Sequence, residues 1–435
     1  MTVMREPGAP GQVGIGLAGR FSAADYTQIA TVAEAAGFDA ITVFGDLMFQ
    51  PPAMVLATMA AATNRVRLGV AAYSPWTHHP VEIAGQVAYL DMASQGRGFY
   101  GVVRGAWLDQ LGIDQRKSLS AITDTVEIVT RLLAGDASGY VGSVFSLREG
   151  LRLEYEPFRP RVPLLIGTWS PKLAAYAAVV ADEIQAGGSA NPAMVGRLRG
   201  LANDAESNRE VGVCLNAVAV VDDDPRAAGR AVRAACAPYF DVVASLDTTL
   251  DVDPELLRGV KARLAMGDDE GAGLLIPDEI LRRFAFWGTA NDVANHAMEI
   301  LEAGALRVEF DTPFGLTTPD GLRRLANDVL PRIRSMQGYG TSDDDRAETG
   351  ARSTATALRD ARASAASIEF RRGGPVRTTG RRRCGLRPDR AGRPCHRPSG
   401  PRAGVDPGAA LPPRSRGGAA RGHLCARRRL GTGRS

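Results

Sequence analysis

The sequence predicts a (β/α)8 barrel with insertions, followed by a C-terminal tail made of different material. Three observations carry that expectation. Short apolar runs alternate with amphipathic segments eight times between residues 13 and about 335. The apolar runs are continuous, as in strands covered on both faces of a parallel sheet. Eight strand–helix units are the number that closes a barrel. An open doubly wound sheet is the alternative. Its dinucleotide fingerprint is missing after the first apolar run, where "GIGLAGRF" (14–21) has no helix start at its glycines. The "GIG" there reads as a tight strand end.

The units follow in order. "VGIGL" (13–17) precedes "AADYTQIATVAEAAGF", and "FDAITVF" (38–44) precedes "PAMVLATMAAAT". "VRLGVAA" (66–72) leads into "VEIAGQVAYLDMAS", and "GFYGVV" (98–103) into "LSAITDTVEIVTRLLAG". "VPLLIGT" (162–168) is followed by "PKLAAYAAVVA", and "DEIQAGG" (182–188) by "PAMVGRLRGLANDA". The seventh run is "GVCLNAVAVV" (212–221); the eighth, "LRVEFD" (306–311), precedes "PDGLRRLANDVLPRI". Two insertions interrupt the series. "YVGSVFSLREGLRLEYEPFRP" (140–160) alternates like a β-hairpin. The stretch from about Pro225 to Phe286 is helical and longer than one crossover needs; such insertions cover a barrel mouth or make a dimer surface.

Composition bounds the rest. At 45% apolar and 23% charged residues, the chain is ordinary for a globular protein. No apolar run is long enough to span a membrane. "MTVMREPGAPGQ" lacks a signal peptide's apolar centre, so a cytoplasmic protein is expected. The five cysteines, Cys214, Cys236, Cys384, Cys395 and Cys425, include no CxxC pair and suggest neither a disulfide framework nor a zinc site. The net charge of +4 hides an asymmetry: residues 337–435 carry 22 arginines against 8 acids, leaving −10 for the remainder. That tail is rich in Arg, Pro, Gly and Ala without apolar periodicity, so disorder is expected. It reads either as a basic arm for nucleic acid or a membrane surface, or as GC-rich coding sequence translated in a shifted frame. No nucleic acid or membrane is expected at the barrel.

The active site of a barrel lies at the carboxyl ends of its strands. That rule selects "FGDLMFQPP" (44–52), "AAYSPWTHHP" (71–80), "VRGAWLDQLG" (103–112), "GTWSPK" (167–172), "AGGSANP" (186–192) and "FDTPFG" (310–315). In "GTWSPK", Ser170 before Pro171 is an N-cap with proline at the first helical position. The same geometry offers free N–H groups to a phosphate. Asp46 is either a turn residue or a contact for a ligand's polar edge. Arg104 holds an anion or pairs with an acid. Trp76, Trp107 and Trp169 fall in these loops and together would wall a planar ligand. His78 and His79 invite a metal reading, but no HExxH spacing or third ligand supports it. His79 before Pro80 reads as a helix entry.

Several of these segments, taken in order, resemble the bacterial luciferase-like flavin and deazaflavin superfamily, most of all its coenzyme F-420-dependent methylene-tetrahydromethanopterin reductase branch. The matching pieces are "IATVAEAAGFDAITVFGD", "ATNRVRLGVAAYSPWTHHP", "GRGFYGVVRGAWLDQLGI", "PLLIGTWSPKLAAYAAVVADEI" and "FAFWGTANDVANHAMEILEAGALRVEFDTPFG". The resemblance covers residues 12 to 335 and none of the tail. It implies a barrel, commonly dimeric, that binds F-420, or FMN as the alternative, at the strands' carboxyl ends. It implies a non-prolyl cis peptide near Ala71–Ala72, where Ala71, Ala72, Tyr73 and Ser74 turn beneath a planar ring. Asp46 falls where the family contacts the cofactor. Gly167, Thr168, Ser170 and Pro171, with Trp169 between them, fall where the phosphate-bearing side chain is held; Arg104 and Gly105 belong to the same cofactor-binding set. Asp46 and Arg104 are the expected catalytic residues, and no metal is expected. The departures are Gly16, where the methanopterin reductases have Glu, Leu47 after Asp46, where they have His, and "VRGAWLD" without the acid some relatives carry. They tell against the methanopterin substrate more than against the cofactor. The implied activity is hydride transfer between the deazaflavin and a small electrophile. An FMN-dependent monooxygenase and a non-catalytic binding barrel are the alternatives.

Overall fold

The computed structural model describes residues 11–203 and 210–338. The expectations for the tail fall, beyond Gly338, outside these residues. In chain order the strands are β1 (Gln12–Leu17), β2 (Ala40–Val43), β3 (Arg67–Tyr73), β4 (Gly98–Val102), β5 (Tyr140–Val141), β6 (Ser146–Leu147), β7 (Leu164–Gly167), β8 (Glu183–Gly187), β9 (Gly212–Val221), β10 (Ala285–Gly288) and β11 (Arg307–Phe314). Eight of them, β1, β2, β3, β4, β7, β8, β9 and β11, pair in parallel around a closed ring. The (β/α)8 barrel is therefore present, and each barrel strand falls within two or three residues of its apolar run.

Helices α1 (Ala23–Ala36), α2 (Pro52–Ala60), α3 (Pro80–Ala93), α4 (Ser118–Leu133), α5 (Pro171–Val180) and α6 (Pro192–Asn203) follow the first six barrel strands. Their starts are locally encoded. Ser22 and Asp25 close a capping box on α1, and prolines open α2, α3, α5 and α6, where the lost N–H costs nothing. His79 caps α3, its Nδ1 accepting from the Val81 N–H at 3.3 Å. The histidine pair is thus the helix entry that Pro80 suggests.

Three details differ from the sequence reading. The hairpin in 140–160 is confined to β5 and β6, and residues 148–163 carry no further strand. A ninth parallel strand, β10, pairs with Val218–Val221 beyond the end of β8. The helical insertion, α7 (Pro225–Val243), α8 (Pro254–Ala265), α9 (Asp269–Leu274) and α10 (Asp278–Leu281), therefore stops just before Ala285. Third, the "GIG" lies within β1. Gly14 pairs with Glu309 and Gly16 with Asp311 across the β1–β11 seam. A Cβ on Gly14 would press the Glu309 Cγ at 3.1 Å, and one on Gly16 would overlap the Asp311 Oδ1. The glycines make room inside the barrel for two carboxyl groups; they do not end the strand.

The barrel interior is accordingly charged, where branched aliphatic side chains are the usual filling. Arg307, fully buried, pairs with Glu183 and Glu309. Arg67 joins Glu183 from the other side at 3.2 Å. Both guanidinium groups lie over the Phe99 ring, at 4.6 and 5.1 Å from its centroid. Thr42 and Gln185 complete the partners of Glu309 at 3.1 and 3.3 Å. The aliphatic core instead lies between the strands and the helices, where Val13, Ile15, Leu17, Val308 and Phe310 are buried. Residues 290–302 form α11, and α12 (Thr318–Arg324) and α13 (Leu330–Met336) complete the helices. Among the described residues no helix is long and apolar enough to cross a membrane.

Candidate active site

At the carboxyl ends of the strands lies a cavity of about 700 Å³, within the usual range for a small-molecule site. The loops chosen by the barrel rule supply much of its wall. Asp46, Ala71, Ala72, Arg104, Gly105, Gly167, Thr168, Trp169, Ser170 and Pro171 all line it. Tyr73 and Ser74 do not. Both are buried behind it, and the Ser74 hydroxyl donates to the Arg104 carbonyl at 2.7 Å, tying the loop after β3 to the loop after β4. Of the three expected tryptophans, Trp107 and Trp169 reach the cavity and Trp76 does not. The Ala71–Ala72 peptide is cis, as is Thr312–Pro313.

The helical insertion supplies part of the cavity wall. Tyr239, Val242 and Val243 of α7, then Ser245, Leu246 and Thr248, face into it. Trp107 meets Tyr239 edge to face at 5.8 Å. Asn191, after β8, donates to Asp247 and Thr249 at 2.9 and 2.8 Å and ties the insertion to the barrel.

Charge is separated around the mouth. Four lining side chains are carboxylic acids or strong bases: Asp46, Arg104, Lys172 and Asp311. The two cations follow adjacent strands, β4 and β7. The two carboxyl groups lie across the ring, on β11 and after β2, with β1 between them. The small residues Ala71 and Ala72 of β3 separate the sides. On the cationic side α5 begins without a side-chain cap, as α2, α4 and α10 also do. Ser170 makes no side-chain cap, whereas Ser22, Asp224, Asp253 and Thr289 each cap their helices. The Ser170 N–H is instead bonded to the Thr168 hydroxyl at 2.9 Å. The first-turn N–H groups of α5 thus remain for an anion, beside Lys172.

On the acidic side, desolvation pushes Asp46 up to about 6. Asp311 rises well above the usual carboxylate range, through burial and the neighbouring Glu309 charge. The Tyr239 phenol is also raised, by burial and by Asp46 and Asp311. The sequence patterns do not single out Asp311, Asn216, Gln185 or Tyr239. A signal for Asp311 exists in "RVEFD": charged residues occupy alternate positions of β11, the reverse of a strand with a polar outer face.

The profile of the family described as luciferase-like monooxygenase matches residues 4–307. The 5,10-methylenetetrahydromethanopterin reductase of Archaeoglobus fulgidus is 26% identical over 317 residues, 70% of this chain and 94% of that protein. Among solved structures, the coenzyme F-420-dependent tetrahydromethanopterin reductase of Methanopyrus kandleri superposes with a TM-score of 0.67 at 22% identity, covering 75% of this chain and all of that one. An F-420-dependent secondary alcohol dehydrogenase gives 0.61 at 18% identity, over 75% and 99% of the two chains. The FMN-bound oxygenating part of 3,6-diketocamphane monooxygenase from Pseudomonas putida gives 0.55 at 14%, over 74% and 99%. These structural likenesses establish the shared barrel.

Proposed function

The chain belongs to the luciferase-like monooxygenase family, and from that premise we propose that it is a coenzyme F-420-dependent oxidoreductase acting on a small, uncharged electrophile. The observation that carries the reading is the division of the cavity into a cationic end, a small-residue floor and an acidic end. A deazaflavin has matching parts: an anionic phosphate side chain, a flat ring, and a polar edge with N–H donors. The uncapped start of α5 with Lys172, and Arg104 from the loop after the adjacent strand, would hold the phosphate. Ala71 and Ala72 leave space for a ring above β3. Asp46 would accept from the ring's polar edge.

When bound, the deazaflavin supplies a hydride at its carbon 5. The protein's part is orientation and exclusion of water. Trp107, Tyr239 and Leu246 form an apolar cover over the cavity, within which each polar contact strengthens. The apolar cover, and cations confined to the phosphate end, favour a carbonyl, imine or activated alkene over a polyanionic partner. The single glycine at position 16 and Leu47 in place of the reductases' acid and histidine support a substrate other than methanopterin. A cytoplasmic homodimer is part of the proposal, checked by light scattering of the purified chain.

Titrating the full chain with F-420 while following its fluorescence tests the reading. Saturable micromolar binding and oxidation of reduced F-420 by a carbonyl panel are expected. Failure of F-420 to bind, with FMN bound and oxygen consumed instead, would transfer the assignment to a monooxygenase. Failure of both cofactors would leave a non-catalytic barrel.

A further inference from the structure

We infer that Asp311 is the catalytic acid of this site: a neutral carboxyl group built into the cavity floor that gives its proton to the substrate. The inference rests on the hydride-transfer reading for its chemistry, but on the barrel's own packing for the proton. Asp311 is 5% exposed and lines the cavity. Its carboxyl group receives one hydrogen bond, from Asn216 Nδ2 to Oδ2 at 2.8 Å. Its Oδ1 has no partner among the described residues and sits in the space that Gly16 leaves, beside the Phe44 ring.

An ionised carboxylate in a buried site collects several donors or a cation. Asp311 has neither. Arg307, two strand pairs below, is engaged by Glu183 and Glu309. Glu309, next inward on the same strand face, is buried and acidic. From the loop after β2, Asp46 adds a second negative neighbour. From α7, Tyr239 adds a phenol. Gly16 of β1 brings no side chain, and Asn216 of β9 a single donor. The surroundings therefore disfavour the charged form, and burial raises the group accordingly. Asp46 has been pushed only to about 6 and is mostly ionised at neutral pH. The two carboxyl groups are split into one charged and one neutral, a division that suits acid–base work.

A substrate C=O or C=N that receives a hydride from the reduced deazaflavin gains a C–H bond, and its π pair moves to the heteroatom. The Asp311 O–H bond breaks and its proton joins that heteroatom, giving an alcohol or amine. The cofactor is left oxidised and Asp311 ionised, to be reprotonated by water after product leaves. General acids of this kind contribute about 10²–10⁴ in rate.

The test begins on the protein without cofactor. Infrared spectra of full-length protein labelled with 13C in the aspartate carboxyl are recorded at pH 7. A protonated-carboxyl C=O band is expected in wild type and in Asp46→Asn, and its loss in Asp311→Asn. An identical band in wild type and Asp311→Asn, or no band in either, overturns the proposal. With cofactor, Asp311→Asn should bind F-420 as wild type does, which also reports correct folding, while kcat falls about 100-fold or more and loses its decline at alkaline pH. Equal kcat in the two proteins also overturns the proposal. Absence of F-420 binding in wild type instead overturns the functional reading, while the infrared result still decides whether Asp311 holds the proton.

Discussion

Replacing Asp46 by Asn should make the protein relatively more stable as pH rises, and the size of the effect follows from the site. The Asp46 carboxyl titrates at about 6 in the folded protein, against about 3.9 in an unfolded chain. Between those values the native state holds more protons than the unfolded state, so wild-type stability falls as pH rises. Two units correspond to about 3 kcal/mol at 1.36 kcal/mol per unit. Asp46 is half-buried rather than sealed off, so solvent screening reduces the expectation to about 1–3 kcal/mol. The contribution is intact below about pH 4 and gone above about pH 6–7. Asn does not titrate. The difference in unfolding free energy, variant minus wild type, should therefore climb across that window and then level off. Urea unfolding of both proteins from pH 4 to 8 measures it, and the other titrating groups largely cancel in the difference. Parallel curves would refute the desolvation argument. A difference that falls with pH would mean that Asp46 is ion-paired in the native state.

Three further outcomes are expected. Binding of F-420 at pH 6 should release up to about half a proton, because ring N–H donors favour ionised Asp46; calorimetry in buffers of different ionisation enthalpy counts it. Arg307→Met should destabilise by about 3–5 kcal/mol at pH 8, since it strands buried Glu309 without a cation. The loss should be smaller at acid pH, because burial raises Glu309 and favours its protonated form, and urea unfolding at pH 8 and at acid pH reads it. Lys172→Ala should weaken F-420 about tenfold and flatten the salt dependence of its Kd, measured by fluorescence titration at 50 and 300 mM salt.

The barrel was legible because parallel strands buried on both faces leave an unbroken apolar signature. The strands that broke this rule explain the misses. β10 is four residues long and follows a helical insertion directly, so "AFWG" carries no boundary of its own. The two-residue strands β5 and β6 are too short for alternation to define. At the site, loop position alone marked ten lining residues correctly as neighbours of one cavity. Tyr73 and Ser74 lie outside the lining because β3 continues through Tyr73, and both are buried behind the floor. Tyr239 and Leu246 belong to the insertion, and nothing in a helix sequence shows which barrel mouth it covers.

Gly16 and Asp311 show most clearly what a linear reading loses. Taken alone, glycine at position 16 is an acid missing from the first strand and favours a barrel without acid–base chemistry. Closure of the ring changes its meaning. The β1–β11 seam sets Gly16 directly across from Asp311, and the absent side chain is the space the Asp311 carboxyl occupies. Gly14 and Glu309 repeat the relation one pair inward. Both carboxyl groups enter the barrel from its last strand because its first strand yields the volume. A larger residue at 16 and an aspartate at 311 cannot both be accommodated without moving one of them. Gly16→Ala should therefore disturb Asp311 rather than restore an acid. Its signature would be a shifted carboxyl infrared band and a lowered kcat, with F-420 affinity changed little because α5 and Lys172 lie on the opposite side of the cavity. Wild-type turnover by Gly16→Ala would sink the idea that the two positions share one space.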